Sequence, residues 1–257
     1  MKREALLFAA GLLSFGLLWY LGSVVRPSYF PAPIAVVETA YEVTIEGDVG
    51  DETALDHLII TLYRIAIATV LALIVSVVVG IAMGAVASVE APIANFLPFW
   101  MSLPPLVIIL FSMTLLGFDD STIVIAVLIA TAPYGIVNVW KGTNNIDDRL
   151  LEMAEVFDFG QFSVWRNIYF PAILPYLFSA GRYLFGMVWK LTLLAEVFGV
   201  STGIGAQIRF WFGQADMTLL LAYFAVFFLT MVVIEYGILS QLEKRAFNWR
   251  TESETTV

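Results

Sequence analysis

The chain has 257 residues, of which 60% are hydrophobic and 14% charged, with a formal net charge of −9, one histidine and no cysteine. Soluble domains of this length carry more charge, and here the apolar residues come in runs long enough to cross a hydrocarbon core about 30 Å thick. The composition excludes disulfides, thiolate chemistry and paired-imidazole metal sites, and the acidic balance argues against nucleic acid as a partner.

Hydropathy predicts an all-α integral membrane protein with six transmembrane helices at 5–24, 59–86, 92–116, 121–140, 173–198 and 217–240, in one domain. The first run follows Lys2 and Arg3 and is too long, with no small-x-small site before Arg26, to read as a cleaved signal peptide. Between the first two runs, Glu38, Glu42, Glu46, Asp48, Asp51, Glu52 and Asp56 suggest a solvated acidic loop. His57 at its end is expected to be a solvated interfacial residue rather than a ligand.

Basic residues are retained on the cytoplasmic side. Lys2, Arg3, Lys141, Arg149, Arg166, Lys244, Arg245 and Arg250 fall on one side of the six-span arrangement, with only Arg26 and Arg209 on the other. Both termini are therefore expected inside a multi-pass protein of the cell membrane, with the acidic loop outside.

Gly80, Gly84, Ala82, Ala85 and Ala87 predict close helix contact late in the second span. Pro98, Pro104 and Pro105 break the ladder of the third, and Pro133 that of the fourth. Asp119-Asp120 reads as a solvated turn. Past the fifth span, Ser201-Thr202-Gly203-Ile204-Gly205 and Ala206 to Gly213 form an external cap or a partly re-entrant piece. The tail Thr251 to Val257 is expected to be disordered.

Ionisable groups at membrane depth are costly and need a reason. Arg64 is expected to snorkel outward or to line a pathway, and Glu235 lies near the cytoplasmic end of the sixth span. Arg182 and Lys190 are eight residues apart and share a face about 12 Å long. With Glu196 they are candidate translocation-pathway residues, either attracting an anion or pairing with Glu196 or Glu235. Trp189 and Trp211 are expected to be interfacial anchors ahead of substrate-stacking residues.

The stretch between spans four and five, Asn144 to Pro175, is long and mixed in polarity. Asp147 and Asp148 suit a helix N-terminus, after which Leu150, Met153, Ala154 and Phe157 fall on one face. Gly160 reads as the stop of that helix, and Phe162, Trp165 and Tyr169 make a second apolar stripe leading to Pro171 and Pro175. The result is a cytoplasmic helical hairpin at 141–172, which either packs on its own bundle or fills a partner groove.

Glu152-Met153-Ala154, followed by Ile168-Tyr169-Phe170-Pro171, resembles the cytoplasmic EAA loop of permeases in binding-protein-dependent ABC importers. Met153 replaces the first alanine of that pattern, Phe170 its leucine, and Asp158 its glycine, so that Gly160 could mark a shifted turn. Pro171-Ala172-Ile173-Leu174-Pro175, Gly181-Arg182, Ala195 to Gly199, Gly203-Ile204-Gly205, Phe30 to Pro33 and Gln241 to Arg245 extend the likeness to the nitrate, sulfonate and taurine branch.

The resemblance implies a MetI-like homodimeric permease, a cytoplasmic ATPase dimer carrying ATP and Mg, and an external solute-binding protein. It casts Glu152, Met153, Ala154, Phe157, Asp158, Gly160, Ile168 and Pro171 as ATPase-coupling residues, with no catalytic residue. The chain has no G-x-x-x-x-G-K-[ST] loop of its own and binds no cofactor on this reading. The implied cargo is a small anion such as nitrate, a sulfonate or taurine. A permease for a pyrimidine-type vitamin precursor, or an autonomous secondary transporter with its own coupling-ion site, is the alternative.

Overall fold

The structure is a computed structural model that describes residues 2–27, 29–48 and 52–241. The expectations for Asp51, Lys244, Arg245, Arg250 and the tail lie outside the described residues. Among the described residues every regular element is helical. In chain order the helices are α1 (Lys2–Val25), α2 (Pro33–Ile45), α3 (Ala54–Ala85), α4 (Ala87–Ser102), α5 (Pro105–Leu116), α6 (Asp120–Asn144), α7 (Asp148–Val156), α8 (Gln161–Val164), α9 (Phe170–Gly199), α10 (Ile204–Gly213) and α11 (Met217–Val232). Wide π turns join α8 to α9 at Trp165–Tyr169 and extend α11 at Val233–Leu239.

Three described helices are long and apolar enough to cross a bilayer alone: α3, α6 and the run Met217–Gly237. The 92–116 run bends by 97° between α4 and α5, where Leu103 and Pro104 are extended and Pro105 opens α5. Proline lacks the N–H that would continue the ladder and excludes the preceding residue from helical geometry, so two in succession end one helix and start another.

The chain forms two compact units, Met1–Thr61 with Glu196–Gly237, and Leu62–Ala195 with Ile238–Val257. In the second unit, small residues let α3 meet α6. A Cβ at Gly80 would lie 2.7 Å from Val139 Cβ, and one at Gly84 would overlap Thr143, as the small-residue pattern predicts. Ala85 and Ala87 are exposed and take no part. Gly135 of α6 lies closer still to Ser76, and Gly142 packs against the ring of Tyr176. Ile81, Val139, Ile173 and Ala180 form one buried cluster; Met83, Leu97, Ala132 and Ile136 form another.

Pro133 does not end α6, which runs on to Asn144. Its missing N–H leaves the Ile129 carbonyl without its ladder donor, and the Trp100 indole N–H fills that place at 3.0 Å. A neighbouring helix thus supplies the bond that proline removes.

In the first unit, the expected acidic loop contains a helix. α2 packs on α11 with Val36 and Val43 buried, while Glu38, Glu42 and Glu46 are exposed. Asp48 beyond its end accepts from Trp211 Nε1 at 3.0 Å and from the Tyr223 hydroxyl at 2.7 Å. The helix is hard to see in the sequence because the glutamates, four residues apart, read as a charged loop although their spacing is helical.

Candidate functional site

The hairpin begins at Asp147, whose side chain accepts from the Arg149 N–H at 3.0 Å and caps α7. The helix ends at Asp158, not at Gly160. Asp158 has φ 50°, and two bonds close the turn: its own N–H donates to Glu155 O at 3.0 Å, and the Phe159 N–H donates to Ala154 O at 2.9 Å. This pair is the Schellman closure, which ordinarily places glycine in the left-handed position. Aspartate is among the few other residues that tolerate it. Gly160, at φ −61° and ψ 148°, instead precedes α8 in ordinary extended geometry. The turn therefore lies at Asp158.

The second stripe runs on without a break into the next long helix. α8 passes through the π turn into α9, and Pro171 and Pro175 lie within the first two turns of α9. Pro171 cannot donate to Asn167, and the widened turn falls where that bond is missing.

On α7, Ala154 is buried against its own chain, whereas Glu152, Leu150, Met153 and Phe157 are exposed. The apolar display is larger than expected. Val156 is 81% and Phe162 78% exposed, and Phe159 and Trp165 are exposed as well. The Phe157 and Phe159 rings stack with centroids 6.3 Å apart. Ile168 is half-buried and Pro171 exposed. Soluble surfaces seldom gather so many large apolar side chains in one place without a partner.

The membrane-depth charges part company. Arg182 lines a cavity of about 520 Å³ between α3 and α9 that is otherwise apolar apart from Thr69, with Leu73, Val77, Leu177 and Phe185 among its walls. Lys190 is exposed two turns further along α9. Arg64 neither snorkels nor stands alone: it is 0% exposed and pairs with Asp120, which is 62% exposed. The turn before α6 is thus only partly solvent-directed. Asp119 caps α6 by accepting from Thr122 N–H at 2.8 Å and from Ser121 Oγ at 2.6 Å. The Ser121 hydroxyl, then the Thr122 amide, hold its carboxyl below the usual range.

Glu196 is fully buried in the first unit, where it accepts from the Thr61 hydroxyl at 3.0 Å and from the Gly205 N–H at 2.9 Å. Thr61 Oγ1 in turn accepts from the Ile204 N–H at 2.9 Å. His57 is 1% exposed, contrary to the solvated position expected for it. Its Nδ1 accepts from the Gly203 N–H at 3.4 Å, and its Nε2 lies 2.7 Å from the Gln207 side-chain nitrogen and 3.2 Å from Glu52. The N–H groups of Gly203-Ile204-Gly205, unpaired at any helix start, are thus met one by one by His57, Thr61 and Glu196. Sequence reading missed this because the partners of α10 lie as many as 146 positions away. Trp189 is also buried, not an interfacial anchor, and Trp211 is half-buried on Asp48.

Among the described residues no group of three His, Asp or Glu side chains is spaced to hold a metal. The cavity and the exposed apolar face of the hairpin offer binding surfaces.

Comparison with known proteins places these features. A family model described as binding-protein-dependent transport system inner membrane component matches residues 72–248, which include the hairpin and every residue lining the cavity except Thr69. A probable ABC transporter permease of Brucella melitensis is 25% identical over 192 residues, 74% of this chain and 76% of that one. The taurine transport system permease protein TauC of Escherichia coli is 23% identical over 89% of this chain and 83% of its own. The nitrate import permease protein NrtB of Synechococcus elongatus is 27% identical over 72% and 68%. In fold, a solved amino acid ABC transporter crystallised with histidines aligns at a TM-score of 0.61 and 16% identity, over 75% of this chain and 93% of that one. The chain belongs to the family of binding-protein-dependent transport system inner membrane components, the membrane-integral permeases of ABC transporters.

Proposed function

We propose that this chain is the channel-forming subunit of an ATP-driven importer. Two copies form the path, an ATPase dimer carrying ATP and Mg seats the two hairpins, and an external solute-binding protein delivers the cargo. ATP binding and hydrolysis move the hairpins, and the path alternates between outward-open and inward-open states. The observation that carries this reading is the hairpin: a short helix with Glu152 and Met153 outward, closed by a rigid two-bond turn, that displays Val156, Phe157, Phe159 and Phe162. Exposed apolar side chains on a rigid helical element fit a groove in another protein, and force passes through such a joint only if its turn holds its shape.

We assign the cargo to the small anions, such as nitrate, a sulfonate or taurine. Arg182 beside the apolar cavity supports this, because a guanidinium at membrane depth attracts an anion strongly where water is scarce. The names of the taurine and nitrate relatives point the same way. Lys190 extends the attraction along α9, whereas Glu196, held by Thr61 and Gly205, serves the start of α10 rather than the path. Both termini lie in the cytoplasm on this reading.

Purifying the tagged chain from native membranes tests the assignment. The wild type is expected to bring down an ATPase, and Glu152→Lys to lose it while keeping its melting temperature. Wild-type chain that purifies with no nucleotide-hydrolysing partner would refute the reading.

A further inference from the structure

α2 carries three distinct faces, and only one is covered by the rest of its unit. Val36 and Val43, seven residues apart, are buried. Glu38, Glu42 and Glu46, each four residues from the next, make an exposed acidic stripe. Ile34, Val37, Tyr41 and Ile45, at spacings of three, four and four, make an exposed apolar stripe beside it. Four large apolar side chains extend about 16 Å along the helix. A solvated outer segment has no reason to carry them, and a helix immersed in hydrocarbon could not carry three adjacent carboxylates.

The surroundings identify the occupant. Along the chain, aromatic residues recur from the end of α1 into α2: Trp19, Tyr20, Tyr29, Phe30 and Tyr41. Tyr20, Tyr29, Phe30 and Tyr41 are exposed, while the Trp19 indole N–H donates to Pro31 O at 3.0 Å and the Phe30 ring folds back onto Gly22. Aromatic residues concentrate in this way at the headgroup level of a bilayer. The exposed apolar surface of α1, from Leu13 through Leu17, Leu18 and Leu21 to Val25, leads into this aromatic group, and α2 packs on α11, itself apolar enough to span.

We infer that α2 is a membrane-boundary helix whose Ile34–Val37–Tyr41–Ile45 stripe rests against lipid, while its glutamate stripe stays in water. Because its polar face is acidic, the contact depends on buried apolar area and not on attraction to anionic lipids.

The absence of cysteine makes single-site labelling clean. Val37→Cys, Tyr41→Cys, Glu38→Cys and Glu42→Cys would each be spin-labelled in the purified transporter, reconstituted in phosphatidylcholine–phosphatidylglycerol vesicles. Collision rates with dissolved oxygen and with a water-soluble nickel chelate are then compared. Positions 37 and 41 are expected to favour oxygen severalfold, and positions 38 and 42 to favour nickel severalfold. Nickel reaching all four would mean a solvated helix, and oxygen dominating at all four an immersed one. Shielding of 37 and 41 from both reagents would mean a second protein surface there. Any of these three results overturns the inference.

Discussion

Replacing Asp158 with valine tests whether the hairpin turn is set by this residue. The left-handed conformation costs an L-residue about 1–2 kcal/mol, least for aspartate and asparagine and most for a β-branched side chain. At φ 50° valine would force the turn open and forfeit the bonds from Asp158 N–H and Phe159 N–H. Each such bond contributes about 0.5–1.5 kcal/mol. Strain and lost bonds together amount to about 2–5 kcal/mol, and even the lower bound means roughly a 30-fold rise in the locally open population, since about 1.4 kcal/mol is tenfold. Amide hydrogen exchange of peptides covering 150–160, followed by mass spectrometry, reads that population directly. Asp158→Gly should slow exchange, because glycine meets the same φ without strain. Gly160→Ala should leave it unchanged, because Gly160 has a negative φ and open space around the added methyl. If Asp158→Val exchanged like wild type while Gly160→Ala exchanged faster, the turn would lie at Gly160 and the reasoning would fail.

Three further outcomes follow from the packing. Gly135→Val and Gly142→Val, which drive side chains into Ser76 and the Tyr176 ring, should each lower stability by about 1–3 kcal/mol, read as a fall in melting temperature in detergent. Gly181→Ala, with its nearest neighbour at 3.7 Å, should not. Trp100→Phe strands the Ile129 carbonyl and should cost about 1–3 kcal/mol, but much less in a Pro133→Ala background, where the ladder N–H is restored; equal costs in both backgrounds would refute the pairing. Thr61→Val removes both the donor to Glu196 and the acceptor for the Ile204 N–H, and should destabilise by about 2–3 kcal/mol, with faster exchange at the start of α10.

The apolar runs that became α3, α6 and α11 were legible because length and hydropathy alone define them. The hairpin was legible in its helix start, in the register of Glu152, Ala154, Ile168 and Pro171, and in its apolar rows. Its turn was not, because a left-handed aspartate leaves no periodic signal, and the nearby glycine drew the assignment two residues too far. Pro133 read as a break because the compensating Trp100 donor comes from another helix. Arg64, His57 and Glu196 were visible as costly groups, but their partners Asp120, Gly203 and Thr61 lie 56 to 146 positions away in the chain. α2 could have been found: its apolar and acidic residues both recur at helical spacing, and the density of charge obscured the period.

The central claim is that another polypeptide supplies the work and that the hairpin receives it. Its most direct measurement is cargo uptake by vesicles containing the purified transporter, energised either by internal ATP or by an ion gradient alone, for the wild type and for Phe157→Asp. The account predicts accumulation with ATP only in the wild type, and a variant that melts like wild type yet neither retains the ATPase nor accumulates cargo. Accumulation driven by the ion gradient without ATP, or undiminished ATP-driven uptake by Phe157→Asp, would contradict it.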